Sequence, residues 1–339
     1  MGQFDKAKKK REILQNHFRR KTNIPDFLIK KIGHLAPEKL DVFSNSEECI
    51  NYFNQLIQFI RSHKNDTELY KIVIDLSEIK YISIDTIMYL IALTQNSSKI
   101  KNVKFAIILP KDESQMNKIL STGIHKYINN SNNIEIPDTT DIFYIQYGTD
   151  QNTSVAKKAC DFTNNLLGTG PTYSKFLYDM LMEMMINTQD HAYNNYSNFF
   201  NKQWYLCIEN TESVLKFYFL DTGSGIPETM LAYSYTISQA VLTPEPITFA
   251  PNDSTLLLQS LKGDSLISRT KLSHRGKGLP EIYAHFNKTK KTSNFKVISG
   301  KGSCTFDNAN RNEGILFDFK TKFEGTMFYW EIDKSTIIA

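Results

Sequence analysis

Leu215-Lys-Phe-Tyr-Phe-Leu220-Asp221-Thr222-Gly223-Ser224-Gly225-Ile226-Pro227 is the stretch on which the reading of this chain turns. Five of its first six residues are apolar or aromatic, which predicts a buried strand over 214–220. The run then stops on a carboxylate followed by two glycines and a proline. Asp-x-Gly is ordinary turn chemistry at a strand end. The second glycine adds something, because it lets the backbone come close to a ligand held beside Asp221.

Working outward, Glu183-x-x-x-Asn187-x-x-x-His191 precedes this stretch within a region predicted to be helical over 173–193. Residues at i, i+4 and i+8 share one helix face, so three polar side chains point the same way. Such pairs are common on exposed helices and carry little weight alone. Downstream, Arg275-Gly276-Lys277-Gly278-Leu279-Pro280 leads into a helix carrying Ile282, Tyr283 and Phe286. Glycines ahead of a helix N-terminus can wrap anionic oxygens with backbone N–H groups, and Arg275 or Lys277 would add charge. Strands are expected over 315–319 and 326–332, and Phe323-Glu324-Gly325-Thr326 opens the last of them, where Thr326 has an ordinary reading as a β-branched strand residue. No G-x-x-x-x-G-K-[ST], H-E-x-x-H or G-x-S-x-G occurs, which excludes a P-loop, a zincin site and a hydrolase nucleophile elbow.

In this order and spacing, the segments resemble the nucleotide pocket of the GHKL ATPase superfamily, which includes gyrase, the heat-shock chaperone, histidine kinases and mismatch-repair ATPases. The resemblance spans about 155–335 and implies an ATP-binding α/β sandwich with a mobile lid over 227–274. It implies ATP and magnesium as cofactors. Asn187 matches the residue that ligates Mg²⁺, and Glu183 the catalytic residue that orients or deprotonates the attacking group. Asp221 matches the acceptor for the adenine amine, with Gly223, Gly225 and Ile226 beside the base. Guanine would place a carbonyl against the Asp221 carboxylate. Arg275, Gly276, Lys277, Gly278 and Leu279 match the phosphate loop, and Thr326 the position that reaches an adenine-bound water. His191, in Asp190-His191-Ala192, resembles the anti-sigma-factor kinase branch.

The preceding region reads as strand–helix–strand–helix, with a helix over 45–63, strands over 71–76 and 103–109, and helices over 84–95 and 111–127. An extended segment is expected over 134–147. The first helix carries Cys49, Tyr52, Phe53, Leu56, Ile57 and Ile60 on one stripe, and Ser44-x-x-Glu47 is a candidate capping box at its start. The stretch from Ile72 to Thr86 resembles the core of a STAS domain, the anti-anti-sigma type of phosphoswitch, over about 35–148. Asp85 stands where that family carries its phosphoacceptor serine, and Thr86 replaces the following glycine. Asp85 is open to two readings, a helix cap or a permanent phosphate mimic.

The expected fold class is therefore α/β: a STAS-like domain over 35–148, then a GHKL ATP-binding domain over 155–335, behind a basic arm over 1–34. Residues 1–31 hold ten Lys/Arg against three acids, while the chain of 339 residues carries a net charge of only +4. The arm can contact nucleic acid or an acidic partner, or form a solvated lead-in docked through Ile13, Leu14 and Phe18. No apolar run is long enough to span a membrane and no signal-peptide core is evident. Cys49, Cys160, Cys207 and Cys304 show no C-x-x-C pairing. Together these features predict a cytoplasmic protein without a zinc site or disulfide framework. The leading expectation is an ATP-dependent regulator that phosphorylates, or switches its binding to, a partner protein. The alternative is an ATP-hydrolysing clamp that homodimerises around nucleotide. A sensor histidine kinase would need a dimerising helix with a phosphoacceptor histidine, and none is evident.

Overall fold

The computed structural model describes residues 29–97, 100–124, 141–168, 171–191, 200–231, 251–263, 278–288 and 292–336. The chain is mixed α/β and divides into two compact units, Met1–Thr139 and Thr140–Ala339. The basic arm up to residue 28 lies outside the described residues.

In the first unit, β1 (Ile29–Leu35), β3 (Leu69–Asp75) and β5 (Val103–Ile108) form a parallel sheet in the order β1-β3-β5. Parallel neighbours need crossovers, which α1 (Ser46–His63) and α2 (Ile84–Ser97) help to supply. The helix α3 (Glu113–Ser121) follows β5, and β2 (Lys39–Leu40) pairs in parallel with β4 (Tyr81–Ile82). The stripe expected on α1 is buried in full: Cys49, Tyr52, Phe53, Leu56, Ile57 and Ile60. The capping box is not formed. Asn45 takes the cap position, its side chain donating to Glu48 and to the Lys39 carbonyl, while Asp41 accepts the Ser44 N–H at 2.9 Å. The nearby Asp41 carboxylate thus occupies the Ser44 backbone that a capping box would use.

Asp85 lies in the first turn of α2 and is only 2 % exposed. Its Oδ1 accepts from Ser83 Oγ, Thr86 Oγ1 and the Val42 N–H, the last reaching across from another segment. Burial raises its pKa, and Asp41 adds repulsion of like sign. Asp85 ties the β2–α1 connection to α2, and it is not displayed on the surface.

The second unit is built on an antiparallel sheet in the order β6-β7-β8-β10-β9. Its strands are β6 (Ile142–Gly148), β7 (Trp204–Asn210), β8 (Val214–Asp221), β9 (Thr292–Phe306) and β10 (Ile315–Asp333). Its helices are α4 (Thr153–Leu167), α5 (Pro171–His191), α6 (Asp253–Lys262) and α7 (Gly278–Lys288). The core joins apolar faces of all four helices to Trp204, Phe217, Phe219, Phe295, Phe328 and Trp330 from the sheet. Phe217 and Trp330 stack at 4.8 Å between ring centres.

Two expectations change here. The extended segment over 134–147 was placed with the first domain, but β6 pairs antiparallel with β7 and so belongs to the second sheet. The strands expected separately over 315–319 and 326–332 are one strand, β10, with register shifts between Asp318 and Phe323 and between Phe323 and Thr326. Its first part extends a hairpin with β9, and its second part enters the sheet between β8 and β9. The region 227–274, expected as a lid, contains α6. Leu257 and Leu261 are fully buried, and Asp318 accepts the Ser254 N–H (3.0 Å) and hydroxyl (2.7 Å) at the helix start. Residues 232–250 and 264–277 lie outside the described residues.

Candidate functional site

The strand-end carboxylate is where the sequence places it, at the last residue of β8. One of its oxygens, Oδ1, accepts the Gly223 N–H at 2.7 Å, an Asx-type turn that leaves Oδ2 for another donor. Antiparallel pairing sets Thr326 of β10 opposite Asp221, so the two side chains share a face. Gly325 makes that approach feasible. A Cβ there would lie 2.3 Å from the Asp221 carbonyl oxygen, and its φ of +114° disfavours any L side chain. Burial pushes the Asp221 carboxyl up to about 7, against the Gly223 hydrogen bond and the positive charge of Lys202.

Behind this pair lies a buried hydroxyl that the motif reading missed. Ser299 of β9 sits in register with Thr326. Its Oγ is 2.9 Å from Thr326 Oγ1 and accepts the Ile226 N–H at 2.8 Å. The Ser299 hydroxyl therefore joins the Gly223–Ile226 loop to β10. A small polar residue inside Val297-Ile298-Ser299-Gly300 was the available signal, but its significance depends on strand register. Gly225 packs beside it: a Cβ at Gly225 would meet Ser299 Oγ at 3.0 Å.

A second group forms on α5 and α7. Gly278 is the first residue of α7, and a Cβ on it would lie 2.8 Å from Glu183 Oε2 and 2.9 Å from Asn187 Nδ2. The side chains of the α5 face therefore reach the N-terminus of α7, where backbone N–H groups are unpaired by the helix itself. Leu279 and Ile226 both pack against the core of the unit. The pKa of Glu183 is raised, first by burial and then by the nearby carboxylates of Glu281 and Asp179. Among the described residues, Asn187 Nδ2 is buried without a hydrogen-bond partner. Buried amides in native proteins are normally hydrogen-bonded, to protein or to ordered water.

His191 ends α5, but its side chain lies outside the described residues, as do Arg275, Gly276 and Lys277. The structure therefore brings together Glu183, Asn187 and Gly278 in one group. It brings Asp221, Gly223, Gly225, Ile226 and Thr326 together in another.

Among the described residues, no group of three or more His, Cys, Asp or Glu side chains could hold a metal ion. Glu183 and Asn187 do offer the oxygen donors that magnesium prefers. An ion there would need phosphate oxygens or water to complete its shell, as magnesium usually does. Also among the described residues, no helix is long and apolar enough to cross a membrane. Compared with models of known protein families and with curated proteins, the sequence matches none.

Proposed function

We propose that the second unit binds Mg-ATP and directs the γ-phosphoryl group to a serine or threonine of a separate partner protein, in the manner of the anti-sigma-factor kinases that the motifs resemble. The observation that carries this reading is the meeting of Glu183 and Asn187 at Gly278, with the buried Asn187 amide left unpartnered. A triphosphate laid against the start of α7 would satisfy that amide and the free N–H groups of the first turn. Magnesium would neutralise phosphate charge, and Asn187 is the side chain placed to hold it.

Glu183 suits the role of base. Burial and two neighbouring carboxylates raise its proton affinity, yet it keeps access to solvent. In the transfer, the partner hydroxyl oxygen bonds to the γ-phosphorus as the bond to the leaving ADP oxygen breaks. The hydroxyl proton passes to Glu183. At the other end, Asp221 accepts the adenine amine through the oxygen not used by Gly223.

Radiolabelled ATP tests the reading, followed on the full chain with candidate partners. Glu183→Ala should abolish labelling of the partner and leave the dissociation constant for ATP within about threefold, because a base contributes to the transition state more than to binding. Undiminished labelling by Glu183→Ala would overturn its assignment. Label released only as free phosphate would favour the ATP-hydrolysing clamp instead.

A further inference from the structure

Ser299 is fully buried, and among the described residues its hydroxyl meets Ile226 N, Thr326 Oγ1 and Gly325 O, all at the base end of the site. It accepts from Ile226 N at 2.8 Å, and lies 2.9 Å from Thr326 Oγ1 and 3.2 Å from Gly325 O. A serine hydroxyl has one proton and two lone pairs. The Ile226 N–H fills one lone pair, which leaves the proton with two competing acceptors. If the proton goes to Gly325 O, Thr326 must donate to Ser299, and Thr326 then shows only lone pairs outward. If it goes to Thr326 Oγ1, the shorter contact, the Thr326 proton is released toward whatever lies over the sheet.

We infer that Ser299 is a positioning residue for the nucleobase: by donating to Thr326 it turns the Thr326 proton outward, making a hydrogen-bond donor beside the Asp221 acceptor. This inference rests on the nucleotide reading above. Thr326 and Asp221 are direct cross-strand partners, so the acceptor and the donor stand side by side on one face. That order complements the edge of a 6-aminopurine, which offers its exocyclic amine as donor and ring nitrogen N1 as acceptor. A 6-oxopurine reverses both groups and is refused twice. The Ser299 hydroxyl is what fixes the sense of the second contact, whether Thr326 reaches N1 directly or through a water. Ser299 touches no ligand itself and acts through Thr326.

The test is calorimetric binding of ATP and of 1-deaza-ATP, which lacks the N1 acceptor, to full-length wild type, Ser299→Ala, Thr326→Val and the double variant. Wild type should favour ATP over the analogue by about 3- to 10-fold, the range of one hydrogen bond. Ser299→Ala should bind ATP weaker by a similar factor and lose most of the preference. In the Thr326→Val background, adding Ser299→Ala should cost nothing further, because the route of action is already gone. A merely structural serine would weaken binding equally in both backgrounds, and that additivity would overturn the inference. Equal affinity of wild type for ATP and the analogue would overturn it as well. Should Ser299→Ala not fold, Ser299→Cys, a much weaker donor of similar shape, takes its place in the same cycle. Failure of wild type to bind either nucleotide would instead overturn the nucleotide reading on which this inference stands.

Discussion

Replacing Asp221 with asparagine should stabilise the protein at neutral pH while removing the proposed affinity for ATP. In the folded chain, burial lifts the Asp221 carboxyl from 3.8 to about 7. The native state therefore holds a proton that the unfolded state has already released between about pH 4 and pH 7, and stability falls as pH rises through that window. Above about pH 7 both states are ionised and the loss is complete. At about 1.4 kcal/mol per pH unit, the full displacement corresponds to about 4 kcal/mol. Water reaching the accessible edge of the side chain reduces this, so about 2–4 kcal/mol is the working figure.

Asparagine keeps an oxygen to accept the Gly223 N–H and carries no charge to desolvate. The margin of Asp221→Asn over wild type should thus be near zero at about pH 4 and grow to its full size by about pH 8. Both tryptophans, Trp204 and Trp330, are buried in the second unit, so urea unfolding followed by tryptophan fluorescence reads the unit that matters. With a denaturant slope of about 2 kcal/mol per molar, the midpoint should move up by about 1–2 M at the alkaline end and hardly at all at the acid end. A margin independent of pH, or a variant less stable than wild type throughout, would refute the assignment of a desolvated carboxylate at this position. Such a cost in the empty protein is what a group held ready for a ligand amine is expected to carry.

Three further outcomes follow from the geometry. Gly278→Ala sets a methyl group 2.8–3.0 Å from the side-chain ends of Glu183 and Asn187, which can shift aside. ATP affinity should fall at least about tenfold with the melting temperature nearly unchanged, and unchanged affinity would detach Gly278 from the site. Gly325→Ala meets backbone rather than a flexible side chain, and at positive φ, so it should cost about 2–4 kcal/mol in denaturant titrations. A neutral result would mean that β8 and β10 do not approach so closely. Asp318→Ala removes the acceptor for Ser254 at the start of α6 and should lower stability by about 1–2 kcal/mol. Loss of amide protection confined to α6 would identify the cause, and protection as in wild type would refute it.

Much of the second unit could be read locally. The apolar run into Asp221, the helical spacing of Glu183 and Asn187, and Gly278 at a helix start depend on neighbours within a few residues. What escaped depends on pairing between distant residues. Nothing within 142–148 says that this strand joins β7 rather than the parallel sheet before it. The unity of β10 was hidden because Lys320-Thr-Lys322 reads as a polar break, although the strand continues through it with a shift of register against β9. Ser299 shows locally only as a small polar residue in a strand, and its place beside Thr326 follows from the pairing of β9 with β10. In α1 the tertiary reach of Asp41 to the Ser44 N–H displaced a local capping pattern that looked sufficient.

The hairpin of β9 and β10 has a practical consequence. Ser299 and Thr326 touch, yet 27 positions separate them, and the intervening chain runs out to a turn and back. That turn is held twice: Asp307 accepts the N–H groups of Ala309 and Asn310, and Arg311 donates to the carbonyls of Phe286 on α7 and Thr292 on β9. Ladder pairing from Ile315↔Thr305 inward fixes the strands below it. The exposed Glu313 side chain within this tip can therefore carry a fluorophore or a surface tether without altering the register at the base of the hairpin. It offers a handle for watching or immobilising the protein that leaves its hydroxyl pair in place.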